Sequence, residues 1–515
     1  MRSLASGQRQ GPLLPRRALR LEVVNEMIDR SLYLAGQWVP GSGERLPVHD
    51  PSTEQVMAWV DTPSAEQIES AVTRASRVAH ELRATSSAAR ADWLRKAAAS
   101  LTAARESIAA LEAQNVGKPL AEARLDIDDA VACLQYFAQL AEGIDDERQR
   151  VIAEPLPGFA VRVRNEPVGV SALIIPWNFP LLTTIWKLAP AIAAGCPCIV
   201  KPSEFTPLSA LAFAELTRDC GLPAGALSIL CGLGASVGEP LCRHPLVKKI
   251  SFTGSTATGR KVAAMAGAHL KRLTVEAGGK SPLIVFADTP VEVAIEWILF
   301  GGLYNQGQVC NATTRVLIEE SAYSEVLERV VREVSQLVIG PPGADGVQMG
   351  PLQNRPQYEK FLRYVALGQA QGARLLYGGD RHPAHLTGLF VRPALFDQVS
   401  SAAAIWREEV FGPLLAFRSF RTEEEAIQAA NDSPYGLAAA VLTADPARAD
   451  RVAAALDAGC VWQNCNGLAF VQAPWGGFKE SGVGRELGRW GLESFQEVKQ
   501  VTQYSGIKPW GWYLK

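Results

Sequence analysis

Residues 169–201 read GVSALIIPWNFPLLTTIWKLAPAIAAGCPCIVK, and this stretch decides the fold. A short apolar run, SALII, is followed by a segment of helical length, LLTTIWKLAPAIAA, and then by a second apolar run, CPCIVK. Strands that are apolar on both sides must be covered on both faces, so a strand, helix, strand order of this kind builds a parallel sheet between helices. The alternation continues outward. SALAFAELTRDC reads as a helix, LSIL as a strand, then a helix from Ala235, KKISF as a strand, a helix from Ser255, and RLTVE and LIVFA as strands. The series predicts an α/β protein with a doubly wound, nucleotide-binding type of sheet.

Toward the amino terminus, residues 31–60 read as short strands with turns at Gly41, Gly43 and Pro51-Ser52. From Ser64 to about Glu142 apolar residues recur at three- and four-residue spacing, which predicts helices begun at Ser caps. Within them Asp126 and Asp129 share one helical face, ordinarily a solvated one. Residues 1–26 carry Arg2, Arg9, Arg16, Arg17 and Arg20 with no acid before Glu22. A transit peptide has such a bias, but the apolar positions lack an amphipathic period, so a disordered extension ahead of Met27 is expected.

Toward the carboxyl terminus, a second series of strands and helices runs from about 281 to 480, with TRVLIEE as a strand and helices at 321–338 and 355–371. Residues 150–167 read as two strands that leave the domain and return, and VKQVTQYSG from Val498 reads as another edge strand ahead of the aromatic PWGWY.

The chain has 515 residues, 48% hydrophobic and 20% charged, with a net charge of −2. This is the balance of an ordinary globular protein, and it offers no argument for nucleic acid or an anionic membrane as partner. No apolar run reaches the roughly 20 residues of a bilayer span. Nine cysteines without paired metal spacing predict a reducing, cytoplasmic setting and no metal site.

The chemistry concentrates at residues 304–315, YNQGQVCNATTR. Cys310 falls at a bend between a Gly-containing approach and a strand, where a thiol is either a nucleophile or a small buried hydrophobe. None of the six histidines is near it in sequence, so any general base is expected to be a carboxylate. In FTGSTATG, 252–259, a strand delivers Gly254 and Ser255 to a helix start, with Gly259 closing the motif. Free N–H groups and the positive dipole end there favour a phosphate. GLGASVG at 232–238 and GVGREL at 482–487 mimic a dinucleotide fingerprint, but the first has the wrong last spacing and the second follows no strand. KPSE places Lys201 and Glu204 at the carboxyl end of the second strand. A carboxylate there can accept from ribose hydroxyls and repels a 2′-phosphate, which predicts NAD over NADP.

Together these segments resemble the aldehyde dehydrogenase superfamily from about residue 31 to the end. PWNFP (176–180), KPSE (201–204), FTGSTATG (252–259), EAGGK (276–280), NQGQVCNA (305–312), EEVFGP (408–413) and PWGGFKESGVGRE (474–486) occur in the family's order. Ala277 departs from the family's usual Leu. The resemblance implies an NAD-binding domain from 27–149 and 168–279, a catalytic domain from 280–497, and a small β oligomerisation element from 150–167 and 498–515. It also implies a homodimer or homotetramer. The Cys310 thiolate would attack the aldehyde, with the Asn178 amide and the Cys310 N–H holding the oxyanion and Glu276 activating water against the thioester. Lys201 and Glu204 would take the adenosine ribose and Ser255 the pyrophosphate. Glu409 would hold the nicotinamide ribose, Phe411 would pack on the nicotinamide, and Trp177 would line the cleft.

The likeness is closest to the betaine-aldehyde and aminoaldehyde branch, carried by RLDIDDAVACLQYFA (124–138), NQGQVCNATTR (305–315) and QAPWGGFKESGVGRELGRWGLESF (472–495). That branch surrounds a cationic head with aromatic rings, here matched by Phe179, Trp186, Tyr304 and Trp475. Phe179 and Tyr304 stand where the branch often has Tyr and Trp. Asp126 and Asp129 match acids at the tunnel mouth. Cys460 matches a position whose bulk decides whether a trimethylammonium group fits. Four other readings stay open: a dehydrogenase of neutral aldehydes, a semialdehyde dehydrogenase, which lacks a matched Arg or Lys cluster, an enzyme passing its acyl group to coenzyme A, which Glu276 argues against, and a non-catalytic NAD-binding protein.

Overall fold

The computed structural model describes residues 32–144, 151–384, 387–507 and 509–514. The expected disordered extension at 1–26 lies outside them. An eight-stranded sheet has five parallel strands at its centre, in the order Leu227–Ile229, Cys198–Lys201, Ser171–Ile174, Lys249–Gly254, Arg272–Ala277. From Ser171–Ile174 the chain winds first to one side and then, with Lys249–Gly254, to the other. The carboxyl ends of these two neighbours therefore bound the crevice in which such sheets bind ligands. One leads into Trp177 and Asn178, the other into Ser255.

A seven-stranded sheet follows, with Pro282–Val285, Arg315–Glu319, Leu414–Phe420 and Ala438–Leu442 parallel at its centre and Arg374–Tyr377 antiparallel at one edge. The Cys310 turn joins the helix Val291–Leu303 to the strand Arg315–Glu319. A third sheet pairs Gln496–Tyr504 with Phe159–Pro167 over nine residues, with Val151–Ala153 beyond.

The region read as helical from Ser64 to Glu142 is four helices, and the Ser64 and Ser86 hydroxyls accept from the third residue of the helices they cap. The helix expected from Ala235 is a π-type turn, Gly234–Gly238, running into the five-residue helix Glu239–Arg243, which carries Pro240 in its first turn and stops ahead of Pro245. GVGREL proves to be part of a strand pairing: Gly482 lies opposite Glu276 at the sheet edge. Helix Pro180–Ala194 is buried along its whole length, starts on Pro180 and ends at Gly195 in a left-handed conformation. Among the described residues no helix is long and apolar enough to cross a membrane.

Candidate active site

The crevice opens into a cavity of about 360 Å³ lined by Trp177, Asn178, Lys201, Glu204, Gly254, Ser255, Glu276, Cys310, Glu409 and Phe411. Ten of the residues singled out in the sequence thus meet in one cleft, although they are spread over more than 200 positions. Gly259 sits just behind it, where an added Cβ would lie 3.0 Å from Val275.

At one end Lys201 Nζ donates to Glu204 Oε2 at 3.2 Å, and Glu204 is half-buried. Midway, the Ser255 hydroxyl accepts the Thr258 N–H at 3.3 Å as the cap of helix Thr256–Gly267. Beyond it, Glu409 Oε1 accepts the Gly279 N–H at 3.1 Å. Gly278 makes this possible, since a Cβ there would stand 2.0 Å from that oxygen. Trp177 and Phe411 meet edge to face at 5.1 Å. A carboxylate, a helix start, a second carboxylate and an aromatic ring in this order suit the two riboses, the pyrophosphate and the flat base of a dinucleotide. Gln357 and Lys360 also line this end and were not foreseen. They stand three apart on helix Arg355–Ala370, and Gln357 Nε2 donates to Phe411 O at 2.7 Å, holding that residue at φ 60°.

At the other end Cys310 faces Glu276. Burial, and then the neighbouring Glu276, push the Cys310 thiol well above its usual range. Burial and Glu486 push the Glu276 carboxyl up to about 7, while Cys310 and Lys187 pull it back. Glu276 is 3% exposed and its Oε1 has no hydrogen-bond partner, so the carboxyl is desolvated beside the thiol whose proton it can take. Behind it lies a buried network missed in the sequence. Lys187 Nζ donates to Glu486 Oε1 and, at 2.7 Å, to Thr253 Oγ1, and Ser251 Oγ donates to Glu486 Oε1 at 3.0 Å. The one signal was Lys187 itself, a lone charge in an apolar helix.

The Asn178 Nδ2 donates one hydrogen to Gln308 O at 2.9 Å, Asn178 and Cys310 both line the cavity, and among the described residues no acceptor takes the Cys310 N–H. Two donors next to one sulfur are the geometry for an oxyanion.

The aromatic residues form two groups. Phe179 and Tyr304 lie parallel with centroids 6.4 Å apart, and Phe300 continues from Tyr304 at 5.1 Å. Trp186 and Trp475 meet edge to face at 5.5 Å, with Trp462 beyond at 6.4 Å. Cys460 is half-buried, and burial raises its thiol, with a smaller contribution from Glu276. The two acids read as sharing a face part company. Asp129 is on the exposed side, and desolvation followed by Asp126 and Asp128 pushes its carboxyl up to about 6, whereas Asp126 is 2% exposed and ion-paired with Lys118. The expectation that Asp126 meets a substrate at the tunnel mouth is corrected, because its charge is already spent on a buried lysine. The Lys118 ammonium also lies 3.8 Å over the Phe179 ring.

A thiol, a desolvated carboxyl and an oxyanion cradle at the end of a dinucleotide-shaped cleft define an enzyme that works through a covalent intermediate on sulfur. The aldehyde dehydrogenase family model matches residues 38–501, and the chain belongs to that family. It is 45% identical over 492 residues to the chloroplastic betaine aldehyde dehydrogenase of Amaranthus hypochondriacus, covering 94% of this chain and 98% of that one. Over 491 residues it is 45% identical to the peroxisomal aminoaldehyde dehydrogenase 2 of Malus domestica, covering 94% and 97%. The crystal structure of betaine aldehyde dehydrogenase from Staphylococcus aureus in complex with NAD+ superposes with a TM-score of 0.92 at 35% identity, covering 96% of this chain and 98% of that one. The cytoplasmic expectation is corrected by these plant relatives, which are named chloroplastic or peroxisomal. Free cysteines speak only against an oxidising compartment and do not separate one reducing compartment from another.

Proposed function

We infer that this protein oxidises an aldehyde to a carboxylic acid with NAD, through a thioester on Cys310, and that its aldehyde carries a cationic head. The observation that carries the reading is the convergence of Cys310, Glu276 and Asn178 in a cavity continuous with the cradle of Glu204, Ser255 and Glu409.

Glu276 takes the thiol proton as Sγ adds to the carbonyl carbon. Asn178 Nδ2 and the Cys310 N–H hold the oxygen on which charge develops. NAD, when bound, accepts the hydride released as that carbonyl re-forms. Glu276 passes that proton to solvent, then takes one from water as the water attacks the thioester and the thiolate leaves, and returns it to the sulfur. Lys201 and Glu204 hold the adenosine ribose, Ser255 the pyrophosphate, and Glu409 and Phe411 the nicotinamide end. Glu204 favours NAD over NADP by repelling a 2′-phosphate.

The cationic head is supported by the ring faces of Phe179, Trp186, Tyr304 and Trp475 and by the exposed Asp129, with Cys460 leaving room for a bulky ammonium. Phe179 gives one face to Lys118, so a substrate meets the other. The chain divides into an NAD-binding part (27–149 and 168–279), a catalytic part (280–497) and an oligomerisation element (150–167 and 498–515). The last exposes Ile152, Val498, Trp510 and Trp512 beside its edge strands, which supports a homodimer or homotetramer.

NADH formation with 4-aminobutanal, betaine aldehyde and propanal tests the reading. Turnover is expected with all three, at the lowest KM for a cationic aldehyde. NAD binding without turnover of any aldehyde would overturn it.

A further inference from the structure

Glu122 has no part in the site as described so far. It lies on helix Leu120–Glu142, one turn before Asp126, and its Oε2 accepts the Asn305 N–H at 2.9 Å. Asn305, Gln306 and Gly307 follow one another at φ 48°, 57° and 67°, all left-handed. For Asn305 and Gln306 that conformation is disfavoured, so neighbouring groups must hold it. Gln306 is held by Pro351 O at 3.1 Å and the Gly350 N–H at 3.3 Å, and Gly307 is fixed against Gly412 O, 2.5 Å from where a Cβ would stand. Among the described residues the Asn305 N–H has Glu122 as its acceptor.

Asn305 is also the hub of the oxyanion cradle. Its Nδ2 donates to Asn178 O at 3.0 Å and to Gln308 O at 3.3 Å, and Gln308 O also accepts Asn178 Nδ2. The Glu122 carboxyl therefore reaches the Asn178 amide through one residue, and the same turn fixes the approach to Cys310. Burial pushes the Glu122 carboxyl up to about 8, with Lys118 and the Asn305 N–H pulling it back and Asp126 adding to the rise.

We propose that Glu122 is a positioning residue whose carboxyl pins the left-handed turn at 305–307 and thereby holds the Asn178 amide and the Cys310 N–H as a preformed pair of oxyanion donors. The proposal rests on the reading that Asn178 and Cys310 stabilise the oxyanion. It requires an acceptor oxygen at Glu122 and no contact with the substrate.

The test compares E122A and E122Q with the wild type, using 4-aminobutanal and propanal, with NAD affinity read from quenching of tryptophan fluorescence. E122A should lower kcat at least tenfold with both aldehydes and leave NAD affinity within twofold, while E122Q, which keeps an acceptor oxygen, recovers most of the rate. Unchanged kcat in E122A, equal losses in both variants, or a loss confined to the cationic aldehyde would overturn it. N305D keeps the backbone N–H but removes the side-chain donor, and must also lower kcat; an unchanged rate there overturns the proposal even if E122A does not fold. Wild-type turnover separates the two readings: with it present, a negative result sinks the anchor alone.

Discussion

The Glu276 carboxyl faces the Cys310 thiol inside one cavity. Burial, ahead of any neighbouring charge, pushes both upward, the thiol well above its usual range and the carboxyl to about 7.

That arrangement fixes a pH dependence. Glu276 has a raised pKa, so below about 7 it carries a proton and cannot accept another; kcat/KM should fall about tenfold per pH unit below 7 and level off above. Glu276→Gln should cost about 10²–10⁴-fold in kcat and abolish that acid limb. A variant with a normal rate, or with the same limb, contradicts the assignment.

The ring cluster should sort aldehydes by charge. Trp475 packs on Trp186 and Trp462, and a desolvated ring contributes up to about 2 kcal/mol to a cation, or roughly 30-fold in affinity. Trp475→Ala should raise KM for 4-aminobutanal by that order and for propanal only a few-fold. Equal changes would remove the rings from cation recognition.

Gly278 and Glu409 are mutually exclusive with any side chain between them. In Gly278→Ala the new Cβ would lie 2.0 Å from Glu409 Oε1, so the carboxylate must leave the Gly279 N–H. KM for NAD should rise at least tenfold while the rate of Cys310 alkylation by iodoacetamide stays within twofold. Unchanged KM would show that Glu409 does not hold the coenzyme.

Lys118 is 0% exposed and balances the buried Asp126. Lys118→Met leaves an uncompensated carboxylate and should cost about 3–5 kcal/mol, read as a lower urea midpoint. Adding Asp126→Asn should recover a large part of it; a double variant as unstable as the single would contradict the pairing.

Much of this was legible in the sequence, for physical reasons. The strand and helix alternation from 169 to 286 is a direct image of a sheet buried on both faces, and Glu276, Cys310 and Asn178 stand on segments whose local patterns place them at strand ends and turns. What the sequence hid depends on contacts between distant residues. Lys187 and Glu486, 299 positions apart, meet only in the fold. Asp126 and Asp129 share a helical face in sequence, yet a lysine from the preceding turn draws one inward and leaves the other exposed. The left-handed run at 305–307 has an asparagine at its start and a glycine at its end, both tolerant of that conformation, but no local signal at Gln306, whose side chain is held by Pro351 and Gly350.

The most direct measurement is the mass of the wild-type protein, acid-quenched within its first turnover with NAD and 4-aminobutanal, followed by peptide mapping. The account predicts an acyl group on the peptide carrying Cys310, appearing in step with NADH. NADH released while that peptide keeps its free thiol would contradict it.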